Sequence, residues 1–240
     1  MSTYNTRFKS GEFVADGTMA FHFERPADFN FKAGQAIDLI LPALSANDVK
    51  PGRHTFSIVS APYENCLTIA TRMRGSPFKQ AMGCLTAGAC VELDGPFGSL
   101  TLHNDRRRPA IIIAGGIGIT PFVSILRQAA KEQLAQGFIL IYSNRRPEDA
   151  AFLAELQSKE AHMANLQLIP TMTQSGQSKL AWTGKTGQID TGMLKQVAAG
   201  QSAPIYYLAG PPAFVEAMQD LLNETGVDDD DIRSEGFYGY

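Results

Sequence analysis

The stretch Ala110-Ile111-Ile112-Ile113-Ala114-Gly115-Gly116-Ile117-Gly118-Ile119-Thr120-Pro121 decides how the second half of this chain is read. Its first five residues are apolar without alternation, the mark of a short strand covered on both faces. Glycines follow at once. Thr120-Pro121 then opens a helical pattern, since threonine can cap a helix and proline costs nothing in its first turn. Strand, glycine turn and helix in that order bring backbone N–H groups toward a phosphate. Gly116, Gly118, Ile119, Thr120 and Pro121 are therefore candidates to hold a dinucleotide pyrophosphate. Tight turns also use glycine for steric reasons alone, so the sequence on either side has to support the reading.

Toward the C-terminus, apolar runs near residues 138–142, 166–171 and 205–208 alternate with helical patterns near 121–133, 147–161, 191–198 and 212–225, which predicts a parallel sheet wrapped by helices. The turn departs from the usual dinucleotide fingerprint, because Thr-Pro stands where a third glycine is common and no acid closes the next strand. That strand ends instead in Tyr142-Ser143-Asn144-Arg145-Arg146. Ser143, Arg145 and Arg146 suit a 2′-phosphate and favour NADPH over NADH, while two arginines ahead of Pro147 also fit plain surface charge. A third strand runs into Gly210 and Pro211, so three strand endings line one extended cofactor crevice; a proline pair that starts a helix is the alternative.

Toward the N-terminus the rhythm changes. Short strands near 11–14, 19–24, 36–41, 55–59, 67–72 and 90–93 are cut by Gly, Pro and Asn, with one helix near 76–85. This predicts an all-β antiparallel, Greek-key-like barrel. The natural boundary lies at residues 106–109, giving a barrel domain over 1–105 and an α/β domain over 106–240. Arg106-Arg107-Arg108 reads as a solvated linker, and Asp228 to Asp231 as an exposed turn ahead of a last strand.

Composition narrows the function. The 240 residues are 44% hydrophobic with a net charge of −3 from intermixed acids and bases, which offers no basic field for nucleic acid. No apolar run is long enough for a membrane span, and the first residues lack a secretory pattern, so a cytoplasmic location is expected. Three cysteines, Cys66, Cys84 and Cys90, cannot supply the four thiolates of an iron–sulfur cluster, and they read as small core residues; no metal site is expected. The four histidines show neither metal nor triad spacing, and no G-x-S-x-G elbow is present.

The segment Gly52-Arg53-His54-Thr55-Phe56-Ser57-Ile58-Val59-Ser60 resembles the flavin-binding strand of the ferredoxin-NADP reductase family, R-x-(Y/F)-(S/T). Arg72-Met73-Arg74-Gly75-Ser76-Pro77-Phe78-Lys79 is similar to that family's second flavin segment. Leu93-Asp94-Gly95-Pro96-Phe97-Gly98, the Gly116 to Pro121 turn and the aromatic end Glu235-Gly236-Phe237-Tyr238-Gly239-Tyr240 follow in the family's order. The resemblance implies a flavin-binding barrel followed by a nicotinamide-binding α/β domain.

It also implies roles. Phe56 packs on a flavin ring, Ser57 bonds the nitrogen that receives hydride, and Ile58, Val59 and Ser60 offer backbone groups to the ring edge. Gly75 and Ser76 hold the FAD pyrophosphate, and Thr55, Arg72, Met73, Pro77 and Phe78 are further cofactor-binding candidates. Phe237 and Tyr240 shield the flavin, and Ser57, Glu235 and Phe237 form the catalytic set. His54 stands where the family has arginine, with Arg53 one place early, so either of the two takes the phosphate role. Ala209 stands where many members have cysteine. The implied activity is an FAD-dependent oxidoreductase that oxidises NADP(H) or NAD(H) and passes electrons to a ferredoxin, an oxygenase component or another acceptor. A free flavin reductase and a non-catalytic regulatory subunit are the alternatives.

Overall fold

Alternating apolar and polar residues over the first hundred positions produce six strands that pair only antiparallel. The computed structural model describes residues 2–41 and 52–237. The strands are β1 (Ser2–Ala15), β2 (Thr18–Glu24), β3 (Ala36–Ile40), β4 (Arg53–Ser57), β5 (Cys66–Arg72) and β6 (Cys90–Phe97). Their order is β4-β3-β6-β1-β2-β5, so β6 returns late in the chain to lie between β1 and β3, as a Greek key requires. A bridge from Ile58 to Ile69 joins the two outer strands and curls the sheet closed. Phe21, Phe23, Ile37, Leu39, Ile58 and Ile69 fill its interior. Helix α1 (Pro77–Gly83) adds Phe78 and Met82, and Ser76 caps it by accepting the Lys79 N–H at 3.2 Å. β1 is far longer than the predicted 11–14. Thr6 and Phe8 point inward while Asn5, Arg7 and Lys9 stay exposed, so its first half is polar on one face only.

The second sheet is wholly parallel, in the order β10-β9-β8-β7-β11-β12. It is built from β7 (Ala110–Gly115), β8 (Phe138–Asn144), β9 (Leu166–Met172), β10 (Lys185–Thr186), β11 (Ile205–Gly210) and β12 (Ile232–Gly236). The helices are α2 (Thr120–Lys131), α3 (Leu153–His162), α4 (Thr191–Ala198) and α5 (Pro212–Glu224). Every residue of β7 and β11 is buried, which is why those runs lack alternation. Ile111, Ile113, Ile139, Ile141 and Leu208 pack with Leu194 of α4 and Met218 and Leu222 of α5. The strand order reverses beside β7, and ligands of open α/β sheets bind at such a switch point.

The two compact units do not follow a single cut in the chain. One gathers the described residues up to Thr101 with Thr120–Gln128; the other comprises Leu102–Ile119 and the described residues from Ala129 onward. Side-chain hydrogen bonds explain the exchange. Ser124 Oγ donates to the Ser60 carbonyl at 2.7 Å, and Arg127 lies 3.3 Å from the Glu64 carboxylate.

Three expectations are corrected here. The helix predicted from residue 147 begins only at Leu153. Pro147–Asp149 forms a separate 3-10 turn, and Phe152 takes φ 60°, which breaks the helical run. The cysteines are not core residues: Cys66 is half-buried, and Cys84 and Cys90 are exposed at α1's end and β6's start. The arginine run is not simply solvated. Arg107 pairs with Asp105, but Arg106 donates to the His103 carbonyl and Gln136, and Arg108 to Ala203 and Asp231. They surround a buried His103, whose Nδ1 lies 2.7 Å from the Tyr207 hydroxyl. Burial holds that imidazole neutral, the nearby arginines push the same way, and a hydrogen bond to the Arg108 carbonyl opposes them in part.

Candidate cofactor sites

In the barrel, β4 alternates without a bulge against β3, so its residues divide cleanly between two faces. Arg53 and Thr55 share the outer one. The Arg53 guanidinium pairs with Asp38 at 3.0 Å and with Asp94, and the Thr55 hydroxyl donates to Asp38. His54 and Phe56 share the other face. The His54 ring lies 4.5 Å from that of Phe78 on α1, and Phe56 is 6.2 Å from Phe78. Burial, together with the charge of Lys79, lowers the His54 pKa against a smaller opposing pull from Asp38. Ser57 ends the strand buried, and its Oγ has no hydrogen-bond partner among the described residues. An orphaned hydroxyl at such depth costs about 1–3 kcal/mol unless a ligand or water meets it.

The backbone just beyond Ser57 is engaged. The Ile58 N–H bonds the Gln35 carbonyl, the Val59 N–H bonds Thr68, and the Ser60 carbonyl accepts Ser124. Ser60 Oγ accepts the Thr68 N–H. These four bonds shape the loop, and the Ser57 hydroxyl takes no part in them. At the other flavin segment, Met73 N–H bonds Gly17, fixing the turn through Arg72, and Gly75 and Pro77 are exposed where α1 begins.

In the parallel unit the candidate residues gather at the carboxyl ends of β7, β8, β11 and β12. Gly116 adopts φ 55°, and a Cβ on Gly118 would stand 2.3 Å from the Ala209 carbonyl oxygen, so only glycine lets the turn approach β11. Ile119 is buried there, and Thr120 and Pro121 continue the chain as the first residues of α2. Gly210, followed by Pro211, accepts the Phe237 N–H at 2.9 Å, which fixes where the aromatic leaves β12. Glu235 pairs in register with Ala209. Its Oε2 is buried with no hydrogen-bond partner among the described residues, and burial raises its pKa.

At the end of β8 the two arginines separate. Arg146 holds Asp149 through two hydrogen bonds, at 2.8 and 3.0 Å, and reaches Glu148 at 3.4 Å. It fastens the 3-10 turn. Arg145 is exposed, and Ser143 beside it is half-buried. Tyr240 lies outside the described residues.

A family model described as "Oxidoreductase NAD-binding domain" matches residues 112–220. Ferredoxin-NADP reductase B of Sorangium cellulosum is 28% identical over 207 residues, covering 83% of this chain and 82% of that protein. The reductase component of propane 2-monooxygenase from Mycolicibacterium goodii is 26% identical over 219 residues, 88% of this chain and 60% of its own length. The structure of a ferredoxin-NADP reductase from Neisseria gonorrhoeae with bound FAD and NADP superposes with a TM-score of 0.81 at 21% identity, covering 98% of both chains.

The chain is thus similar to ferredoxin-NADP reductases and to reductase components of monooxygenases, and its second half matches the oxidoreductase NAD-binding domain. It spans about 60% of the length of the monooxygenase reductase components it matches. In the segment that resembles the flavin strand, Arg53 lies on the outer face and His54 on the inner. Two residues escaped the sequence reading. Asn144 is buried with both amide atoms unpartnered among the described residues, at the strand end where a nucleotide is expected. Lys79 is buried one position after Phe78. Nothing in a one-dimensional pattern marks a polar side chain as buried, because burial is set by elements distant in sequence.

Proposed function

We propose that this chain is an FAD-dependent reductase that oxidises NAD(P)H, with NADPH favoured, and passes electrons to a separate acceptor such as a ferredoxin or an oxygenase component. The observation that carries this reading is the buried, unpartnered Ser57 hydroxyl at the end of β4, in the segment that resembles the family's flavin strand. Bound FAD would supply two-electron acceptance from nicotinamide and release of electrons singly or in pairs. Ser57 donates a hydrogen bond to the flavin ring nitrogen. Phe56, with His54 and Phe78 beside it, forms the apolar wall that orients the ring. Gly75 and Ser76 lie beside the diphosphate.

In the parallel unit, the Gly116 to Ile119 turn and Gly210 take the nicotinamide nucleotide's phosphates, and Arg145 with Ser143 reads a 2′-phosphate. Burial favours the protonated Glu235 carboxyl, which donates a hydrogen bond to the nicotinamide amide. Phe237, whose N–H bonds the Gly210 carbonyl, joins the residues that take the nicotinamide nucleotide. The relatives named as reductase components support a protein partner as acceptor. A cytoplasmic location is part of the proposal, favoured by three free cysteines.

Denaturing the purified protein and identifying the released flavin tests this. One FAD per chain is expected. A free flavin reductase would purify colourless and bind flavin only in passing, and a regulatory subunit would bind FAD yet leave NAD(P)H unoxidised with every acceptor offered.

A further inference from the structure

A hydroxyl at the end of a strand can be aimed at a reacting atom only as well as the backbone beyond it is held. A misplacement of about 1 Å in such a site costs up to about 100-fold in rate. Ser57 is the last residue of β4, where the pairing with β3 stops. The turn that follows has to be held by other means.

Charged side chains from separate parts of the chain hold it. The Glu64 carboxylate turns back so that Oε2 accepts the Ala61 N–H, and the same oxygen lies 3.3 Å from Arg127 Nη1 on α2. Arg127 Nη1 also reaches the Val59 carbonyl at 3.5 Å, while Ser124 on the same helix donates to the Ser60 carbonyl at 2.7 Å. Arg25, just past β2, lies over the Phe31 ring at 5.3 Å and donates to the Phe29 carbonyl at 2.9 and 3.0 Å. Its Nη1 grips the turn itself, donating to the Glu64 carbonyl at 3.1 Å and to that of Pro62. All these residues belong to the barrel unit. Val59, Ser60 and Ala61 are buried, so the bonds to them form away from water. The Arg127 and Glu64 side chains keep 17% and 30% exposure, so their ion pair adds little stability by itself. Its effect is on direction, because the same carboxylate oxygen is committed to a buried N–H.

We infer that Glu64 and Arg127 are positioning residues for the proposed flavin reaction: they hold the turn beyond β4 so that the Ser57 hydroxyl keeps one direction. Arg25 anchors the same turn. The assignment rests on the FAD reading above. Glu64 and Arg127 act through the backbone of Val59 and Ala61, a few residues past the hydroxyl, rather than by contact with the ring.

The test follows anaerobic reduction of the FAD-loaded full chain by NADPH in a stopped flow. Glu64→Gln, which keeps an oxygen for the Ala61 N–H but removes the charge, and Arg127→Gln are each expected to lower the limiting rate about 10-fold. FAD affinity and the half-saturating NADPH concentration should change by less than about 3-fold. The melting temperature of the flavin-free protein should move by less than about 4 °C. Arg127→Lys, which keeps a cation beside Glu64, should recover most of the rate. Ser124→Ala carries the same expectation should Arg127→Gln fail to fold. The sharpest comparison is made in Ser57→Ala protein, where adding Arg127→Gln should slow reduction by less than about 2-fold more, because the hydroxyl it positions is gone. A further loss of about 10-fold in that background, an unchanged rate in both single variants, or FAD lost in step with the rate overturns the assignment. A wild-type chain that takes up no FAD overturns the FAD reading beneath it, and the assignment with it.

Discussion

The Ser57 hydroxyl is buried with no hydrogen-bond partner among the described residues, and the proposed function gives it a flavin ring to donate to. Ser57→Ala is expected to slow flavin reduction by NADPH about 10- to 100-fold, the loss of one hydrogen bond realised in the reacting complex, with FAD content unchanged. An unchanged stopped-flow rate would remove Ser57 from the catalytic set. Arg145 and Arg146 make a sharper pair. Arg145→Gln should raise KM for NADPH about 10-fold and leave NADH unaffected, because one charge-assisted contact to the 2′-phosphate is lost. Arg146→Gln should instead cost about 1–3 kcal/mol of stability by stripping Asp149 of its partner, with little change in coenzyme preference. Glu235 supplies a pH signature. Its folded pKa is raised by burial, so the stability it contributes is complete below the ordinary glutamate range and is lost as pH rises through the folded pKa. Glu235→Gln should flatten that part of the melting-temperature profile of the cofactor-free protein. At this scale the sequence showed residue types but not their directions. It named Ser57 and Glu235 as candidates without showing that each buries an unpartnered oxygen, and it could not divide Arg145 from Arg146, because the division depends on Asp149 lying three residues on in a 3-10 turn.

The elements were more legible than the residues. The all-apolar run of β7 announced a strand covered on both faces, and the glycines after it a turn into a helix, and both are present. Gly118 shows why the turn has to be glycine, since any Cβ there meets the backbone of β11. Gly118→Ala should destabilise the protein by about 1–3 kcal/mol through overpacking and weaken nicotinamide nucleotide binding, read by denaturant melts and nucleotide titration, while bound FAD persists. Loss of FAD with nucleotide binding intact would mean that the barrel and the parallel unit have exchanged roles. The failures have local causes. Helix α3 starts late because Phe152 adopts a left-handed conformation that helical periodicity cannot show. β10 went unseen because two exposed residues, Lys185 and Thr186, carry no apolar signal. β1 was cut short for a related reason, its outer face being polar.

For the whole molecule, the succession of a barrel and a parallel sheet was readable from the change in hydrophobic rhythm near residue 105. The exchange of Thr120–Gln128 into the barrel unit was not, since it hangs on side-chain bonds such as Ser124 to Ser60. In the proposed function one unit offers a buried hydroxyl and an aromatic wall to a flavin, and the other a glycine turn and a carboxyl to a nicotinamide nucleotide. The central claim is electron transfer from that nucleotide to that flavin. It is tested by mixing the FAD-loaded protein anaerobically with NADPH, or with NADH, and following absorbance near the flavin band. The account predicts stoichiometric bleaching by both nucleotides, faster at low concentration with NADPH, and recovery of colour when a one-electron acceptor is added. A flavin that stays yellow under excess of either nucleotide would contradict it.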